Sequence, residues 1–271
     1  MVSVTKHGLW LVVGVILWSA GPASAQRAEL AKARSAYNEQ QFDDAIQAAL
    51  AAQKVGVTAD AATVVLSRAY LERYRLRANP TDLAAARAQL GTVRVGNLDA
   101  RDHVDFMMAL GEALFFEDDF GAAAAMFESG IDAAFMQGAV TGEAMLDWWG
   151  SAVERQAEAL EPEQRQAVFG RMRDRMSREL ARNPASAPAG YWSVVGIRGA
   201  GDPVGAWHAA IASWVRARLA AGRSAQLRAD IDKLVLEGII PDRVRLEPAE
   251  KRGQAESDLR TEWAVVKERW K

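Results

Sequence analysis

Apolar positions recur at three- and four-residue intervals along most of this chain, the spacing that lines one face of a helix. No stretch alternates apolar with polar residues as a half-buried strand does, and glycine and proline fall between segments more than inside them. The pattern predicts helices over 27–39, 42–54, 60–76, 82–93, 100–117, 120–134, 142–159, 163–182, 188–198, 203–220, 224–236 and 249–270. Thr81 before Asp82, Asp99 before Ala100 and Asp202 before Pro203 read as start signals. An oxygen-bearing side chain caps free N–H groups, and proline suits the first helical position. The expected fold class is all-α.

These helices fall into pairs with a shared pattern. Ala36-Tyr37, Phe42 and Ala45-Ile46 return as Leu114-Phe115, Phe120 and Ala123-Ala124, the two aromatics standing five apart each time. A looser copy, Ala69-Tyr70, Leu83 and Ala86, has a longer turn, and another runs through Ile197, the turn at 199–202 and Ala206-Trp207. Small residues let antiparallel helices approach, and aromatics fill the space beside them.

On these residues the chain resembles the tetratricopeptide repeat (TPR) family, whose helix-turn-helix unit of about 34 residues stacks into a solenoid. The fullest match is 107–130, where Met107, Leu110, Gly111 and Leu114 occupy the family's core places on a first helix. Ala123, Phe127 and Gly130 occupy those on the second, with Gly130 where alanine is usual. The first repeat keeps Ala33, Phe42, Ala45 and Ala52 but carries Lys32 where leucine is expected. The resemblance covers 27–135, and 188–220 more loosely.

The resemblance implies a right-handed solenoid of antiparallel helix pairs whose first helices line a concave groove that commonly holds peptide segments. The groove places then fall on Leu30, Arg34 and Tyr37, on Thr63, Ser67 and Tyr70, on Met108, Glu112 and Phe115, and on Tyr191 and Val195. Tyr37, Tyr70 and Phe115 would form an aromatic ladder with Arg34 and Glu112 as polar selectors. A pure packing role for the same aromatics is the alternative.

The first residues carry a different signal. Lys6 and His7 precede the apolar run Leu9–Trp18, Gly21-Pro22 breaks it, and Ala23-Ser24-Ala25 fits a small-x-small cleavage site. The run is about ten residues, short of the roughly 20 a bilayer span needs. Residues 1–25 are expected to be a signal peptide, with an uncleaved anchor as the rival. The organisation expected is therefore 1–25 signal peptide, 26–136 TPR-like repeats and 137–271 a helical C-terminal region holding one further degenerate repeat and capping helices. Arginine in excess of lysine, with abundant alanine, suggests a bacterial source, and export then points to the periplasm.

Tryptophan marks the C-terminal region. Apart from Trp10 and Trp18, every tryptophan (Trp148, Trp149, Trp192, Trp207, Trp214, Trp263 and Trp270) lies beyond residue 147. Large side chains there suit a tryptophan-rich cap on a solenoid that would otherwise end on an apolar face. Leu259, Trp263, Val266 and Trp270 form one stripe of the last helix, read as a docked cap or as a surface for a partner helix.

Composition narrows the chemistry. With 33 Lys+Arg against 35 Asp+Glu, the formal net charge is −2, which argues against nucleic-acid binding through bulk positive charge. The absence of cysteine removes disulfides, thiolate metal sites and cysteine nucleophiles. His103 lies among Asp99, Asp102 and Asp105, but these acids also suit a helix start, and no cofactor or metal is expected. The glycine-rich stretch 199–205 follows no strand and carries Asp202-Pro203, so it reads as a turn, not a phosphate loop.

The helix at 163–182 is amphipathic and basic. Arg165, Arg171, Arg175 and Arg178 could touch an anionic membrane surface peripherally, and a solvated solenoid helix is the plainer reading. No second apolar run of spanning length follows the first. The leading functional reading is an exported non-catalytic scaffold that binds a protein or peptide segment, its identity open, through Arg34, Tyr37, Ser67, Tyr70, Met108, Glu112, Phe115 and Tyr191. The alternative is a small-ligand-binding helical accessory of a solute transporter using the aromatics near Tyr191 and Trp192. An enzyme built on His103 or His208 is the third.

Overall fold

The computed structural model describes residues 22–54, 56–220 and 222–271, and these residues form helices and turns without a strand. The signal-peptide expectation falls largely on 1–21, outside the described residues. The helices are α1 (Pro22–Asn38), α2 (Phe42–Ala52), α3 (Ala59–Arg77), α4 (Pro80–Leu90), α5 (Ala100–Phe116), α6 (Phe120–Gln137) and α7 (Ala139–Glu158). They continue with α8 (Pro162–Arg182), α9 (Ala187–Gly199), α10 (Pro203–Arg216), α11 (Ser224–Leu234), α12 (Ile240–Arg245) and α13 (Arg252–Arg269). No helix among the described residues is long and apolar enough to cross a membrane.

Local chemistry accounts for several boundaries. The side chains of Asp99, Asp119 and Asp202 accept from the backbone N–H of Asp102, Ala122 and Gly205 at 2.8, 3.2 and 2.7 Å, capping α5, α6 and α10. At α4 the cap is Asn79, which accepts from Thr81 N at 3.1 Å ahead of Pro80, and not Thr81 itself. One residue, Gly138, separates α6 from α7; its φ of 144° is open to glycine alone, and it makes the corner between them.

The structure departs from the sequence expectation between 235 and 245. The periodicity predicts a helix ending at 236, yet Val235–Ile239 winds on as a π-helical turn into α12. Val235, Ile239 and Ile240 are buried, so the apolar run is drawn into the core as a helix. The widened turn admits Pro241, which has no N–H to give the ladder and would crowd the carbonyl four residues back.

From α1 to α11 each helix packs against the next, α12 packs on α13, and alternate helices also touch, α1 on α3, α3 on α5, α5 on α7, α7 on α9 and α9 on α11. The buried side chains form consecutive clusters along this row. The cluster holding Phe127, Trp149 and Trp192 runs from Val104 to Val195 and so passes through the Gly138 corner without a gap. Trp207, Trp214 and Trp263 meet in the following cluster, with Trp214 and Trp263 edge to face at 5.4 Å.

Helix α8 turns its apolar stripe, Phe169, Met172 and Met176, into the core, so that stripe is not free for lipid. Of its arginines, Arg175 pairs with Asp132 and Glu179, and Arg165 donates to the carbonyls of Ala157 and Leu160. Arg171 and Arg178 are exposed. This is the arrangement of a solvated packing helix, and the apolar half of a membrane-surface helix is already used.

Candidate functional site

The alternate packing of helices sets α1, α3, α5 and α7 side by side, and their shared face encloses a cavity of about 510 Å³. Helix α1 contributes Arg34, Tyr37 and Asn38, and α3 contributes Val65 and Arg68. Helix α5 contributes Arg101, Val104, Asp105 and Met108, while Val140, Thr141 and Ala144 come from α7 beside Gln137 at the end of α6. Arg34 and Tyr37, Val65 and Arg68, Arg101, Asp105 and Met108, and Val140 and Ala144 stand three or four apart within their helices, so each set lies on one face.

Charge organises the floor of this cavity. Arg34 donates to Asp102 across α1 and α5. Arg68 donates to Asp105 Oδ1 at 2.5 Å across α3 and α5, and Arg101 Nε stands 4.0 Å from the other oxygen of Asp105. The guanidinium of Arg68 also lies over the ring of Tyr37, 4.7 Å from its centroid. Burial pushes the Tyr37 hydroxyl well above the ordinary phenol value, so it stays protonated as a hydrogen-bonding group. Burial likewise raises Asp102, more than the adjacent Arg34 lowers it.

Of the residues singled out from sequence, Arg34, Tyr37 and Met108 line the cavity. Ser67 is fully buried and donates to Thr63 O at 2.8 Å. Tyr70 packs between the clusters of α1–α3 and α3–α5 under Arg73, whose Cζ is 5.3 Å from its ring centroid. Glu112, one turn along α5 from Met108, is buried, and burial pushes its carboxyl up to about 7 against the pull of Arg68. Phe115 lies two turns beyond Met108, edge to face with Phe120 at 5.2 Å and Trp148 at 5.3 Å. The structure therefore does not stack Tyr37, Tyr70 and Phe115 into one ladder.

Tyr191 lies elsewhere, on two neighbouring clefts of about 390 and 400 Å³ that it shares with Asp230 of α11. Burial, with Glu154, Asp230 and Asp147 adding to it, pushes its hydroxyl up to about 12.

Sequence reasoning missed Arg68, Arg101 and Asp105. The repeat pattern aligned Tyr70 with Tyr37, which set Ser67 opposite Arg34, whereas the structure sets Arg68 there, one residue on. That single step turns a helical side chain by about 100°. The stripe of Arg101, Asp105 and Met108 at four- and three-residue spacing was the available signal on α5. Chemically, the cavity offers guanidinium donors, a carboxylate, a protonated phenol and apolar wall. His103 is exposed and outside this lining, and no group of three or more His, Cys, Asp or Glu among the described residues is set to hold a metal ion.

No family model, no curated protein and no solved structure matches this chain.

Proposed function

We propose that this protein is an exported, non-catalytic TPR-like scaffold that holds a protein or peptide segment along the shared face of α1, α3, α5 and α7. The observation that carries the reading is the cavity built from alternate helices of successive pairs. In this reading the pairs form a right-handed solenoid and the tryptophan cluster around Trp263 caps its end. Tyr37, Val65, Val104 and Met108 supply apolar contact, while Arg34, Arg68 and Arg101 set the charge a segment must complement. Val140 of the lining is 86% exposed, apolar surface of the kind a segment covers on docking.

The test is affinity capture from the host's cell envelope with mild crosslinking, comparing wild type with the double variant Val140→Asp, Arg101→Glu. Both positions are exposed, so folding should survive the exchange. A partner enriched by wild type and by the control Val265→Asp, and lost by the double variant, supports the groove. Capture unchanged by the double variant sinks it.

The paired clefts at Tyr191 favour a second reading, a small-ligand-binding accessory of a solute transporter. Under it, a metabolite would raise the melting temperature and quench tryptophan emission, and Tyr191→Ala would abolish both.

A further inference from the structure

Helix α9 carries Tyr191 on one side and Ser193 on the other, since residues two apart are turned by about 200°. On the Ser193 side, α8, α9 and α10 enclose a separate cavity of about 310 Å³. Its wall holds Arg173, Ser177 and Leu180 of α8, Ser193 and Ile197 of α9, and Arg216 at the end of α10 with Ala209 beneath it. Gly196 keeps the wall tight, because a Cβ there would stand 2.9 Å from Arg173 N, and only glycine lets α8 approach so closely.

Arg216 is the unusual member. Its Nε is buried with no hydrogen-bond partner among the described residues. Burial alone acts on its guanidinium and holds it below the ordinary value, with no carboxylate pulling it back up. A half-buried cation in that state is a cost to the fold unless something pairs with it. Among the described residues Arg173 is tied to its neighbour Asp174 alone, Nη2 to Oδ1 at 2.9 Å, so the lining sets two guanidiniums against one carboxylate. The residual charge is one positive unit, which matches a monoanion. The rest of the wall is the apolar Leu180, Ile197 and Ala209 with two neutral hydroxyls, Ser177 and Ser193, the latter donating to Gly190 O at 3.0 Å.

We propose that this cavity binds a small organic carboxylate, its head held by Arg216 with Arg173 and its short alkyl tail laid on Leu180, Ile197 and Ala209. The planar fork of a guanidinium meets both carboxylate oxygens, and the apolar floor selects for the tail. This site lies apart from the α1–α7 cavity, and its occupancy does not depend on the scaffold reading.

Titration calorimetry of the purified full chain tests it with hexanoate, acetate, hexan-1-ol and inorganic phosphate as probes. Hexanoate should bind saturably, and acetate, with the same head and little tail, at least ~10-fold more weakly. Hexan-1-ol, with the tail and no charge, should fail to saturate. Arg216→Gln removes the unpaired charge, should fold, and should weaken hexanoate ~10-fold or more. A hexanoate titration without saturation overturns the proposal, as does unchanged affinity in Arg216→Gln, and phosphate displacing hexanoate overturns the carboxylate class. Phenylglyoxal labelling of the wild-type protein, mapped by mass spectrometry, gives an answer without any variant. Hexanoate should protect Arg216 from modification while leaving the exposed Arg171 reactive, and equal labelling of both with and without hexanoate counts against the site.

Discussion

Arg68 is held between two groups at once: its Cζ sits 4.7 Å from the centroid of the Tyr37 ring, and its Nη1 donates to Asp105 Oδ1 at 2.5 Å. One side chain thereby joins α1, α3 and α5 at the floor of the cavity. Arg68→Leu leaves Asp105 with only the distant Arg101 and Tyr37 without its cation. The expected loss is about 1–3 kcal/mol in urea unfolding, because the pair is largely shielded from water. Arg68→Lys keeps the charge but not the planar contact and should fall between. Arg101→Glu, at an exposed rim position, should stay within ~0.5 kcal/mol. A loss for Arg101→Glu as large as for Arg68→Leu would show that the floor does not tie the helices together.

Glu112 makes stability depend on pH in a direction opposite to most carboxylates. Its carboxyl is pushed up to about 7 in the fold against 4.5 for the free group, chiefly by burial; Glu72 and Asp105 push the same way, and Arg68 and Arg75 oppose. Between those values the folded chain holds a proton the unfolded chain has released. Stability therefore falls as pH rises from about 4.5 to about 7 and remains lower above that. The full difference is on the order of 3 kcal/mol, and the raised Asp102 acts in the same direction. Glu112→Gln should flatten this slope and be more stable than wild type at pH 8, read as the melting temperature across pH 4–8. An identical pH slope in Glu112→Gln would assign the effect elsewhere.

Tyr37 and Tyr70 show how far the sequence was legible. The all-α class and most helix boundaries followed from periodicity and caps, because those signals are local: Asp99 and Asp202 act on N–H groups three residues away. The face each helix presents was harder. Of the places the repeat pattern proposed, Arg34, Tyr37 and Met108 line the cavity and Glu112 and Phe115 do not, whereas on α3 the lining residue is Arg68, one residue on from Ser67. Nothing local distinguishes a tyrosine that lines a groove from one that packs between clusters, as Tyr37 and Tyr70 do. The π-helical turn at Val235–Ile239 was invisible for a related reason, since burial of Ile239 and Ile240 against distant helices creates it.

Gly111 tests the packing of a repeat pair directly. A Cβ there would lie 2.4 Å from Cε1 of Phe127, a fully buried ring that joins α5 to α6. Alanine is the better helix former by roughly 1 kcal/mol, so on an open face Gly111→Ala would stabilise. Here the clash should win and the variant should lose about 1–3 kcal/mol. Gly253→Ala, where nothing stands within 4 Å, should gain a few tenths of a kcal/mol. Chemical denaturation of both variants decides the matter, and a gain at both positions would contradict the close approach of α5 and α6.

Trp263 fastens α13 to the rest of the chain, and its two functions can be separated. The indole is buried between Trp207 and Trp214, while its Nε1 donates to Asp232 Oδ1 at 2.7 Å. Trp263→Ala removes both and should cost about 3–5 kcal/mol, with loss of the near-ultraviolet circular dichroism of the clustered indoles. Trp263→Phe keeps the apolar contact and deletes the donor. Asp232 is then left with Lys267 Nζ at 2.8 Å, a charged partner that remains in place, so the cost should be only about 1–2 kcal/mol. Hydrogen exchange should localise the difference: in Trp263→Ala the amides of α13 should exchange faster than those of α5 and α6, because Trp263 belongs to a different buried cluster from theirs. Uniform acceleration across α5, α6 and α13 would instead mean that the chain unfolds as one unit and that α13 has no stability of its own to lose.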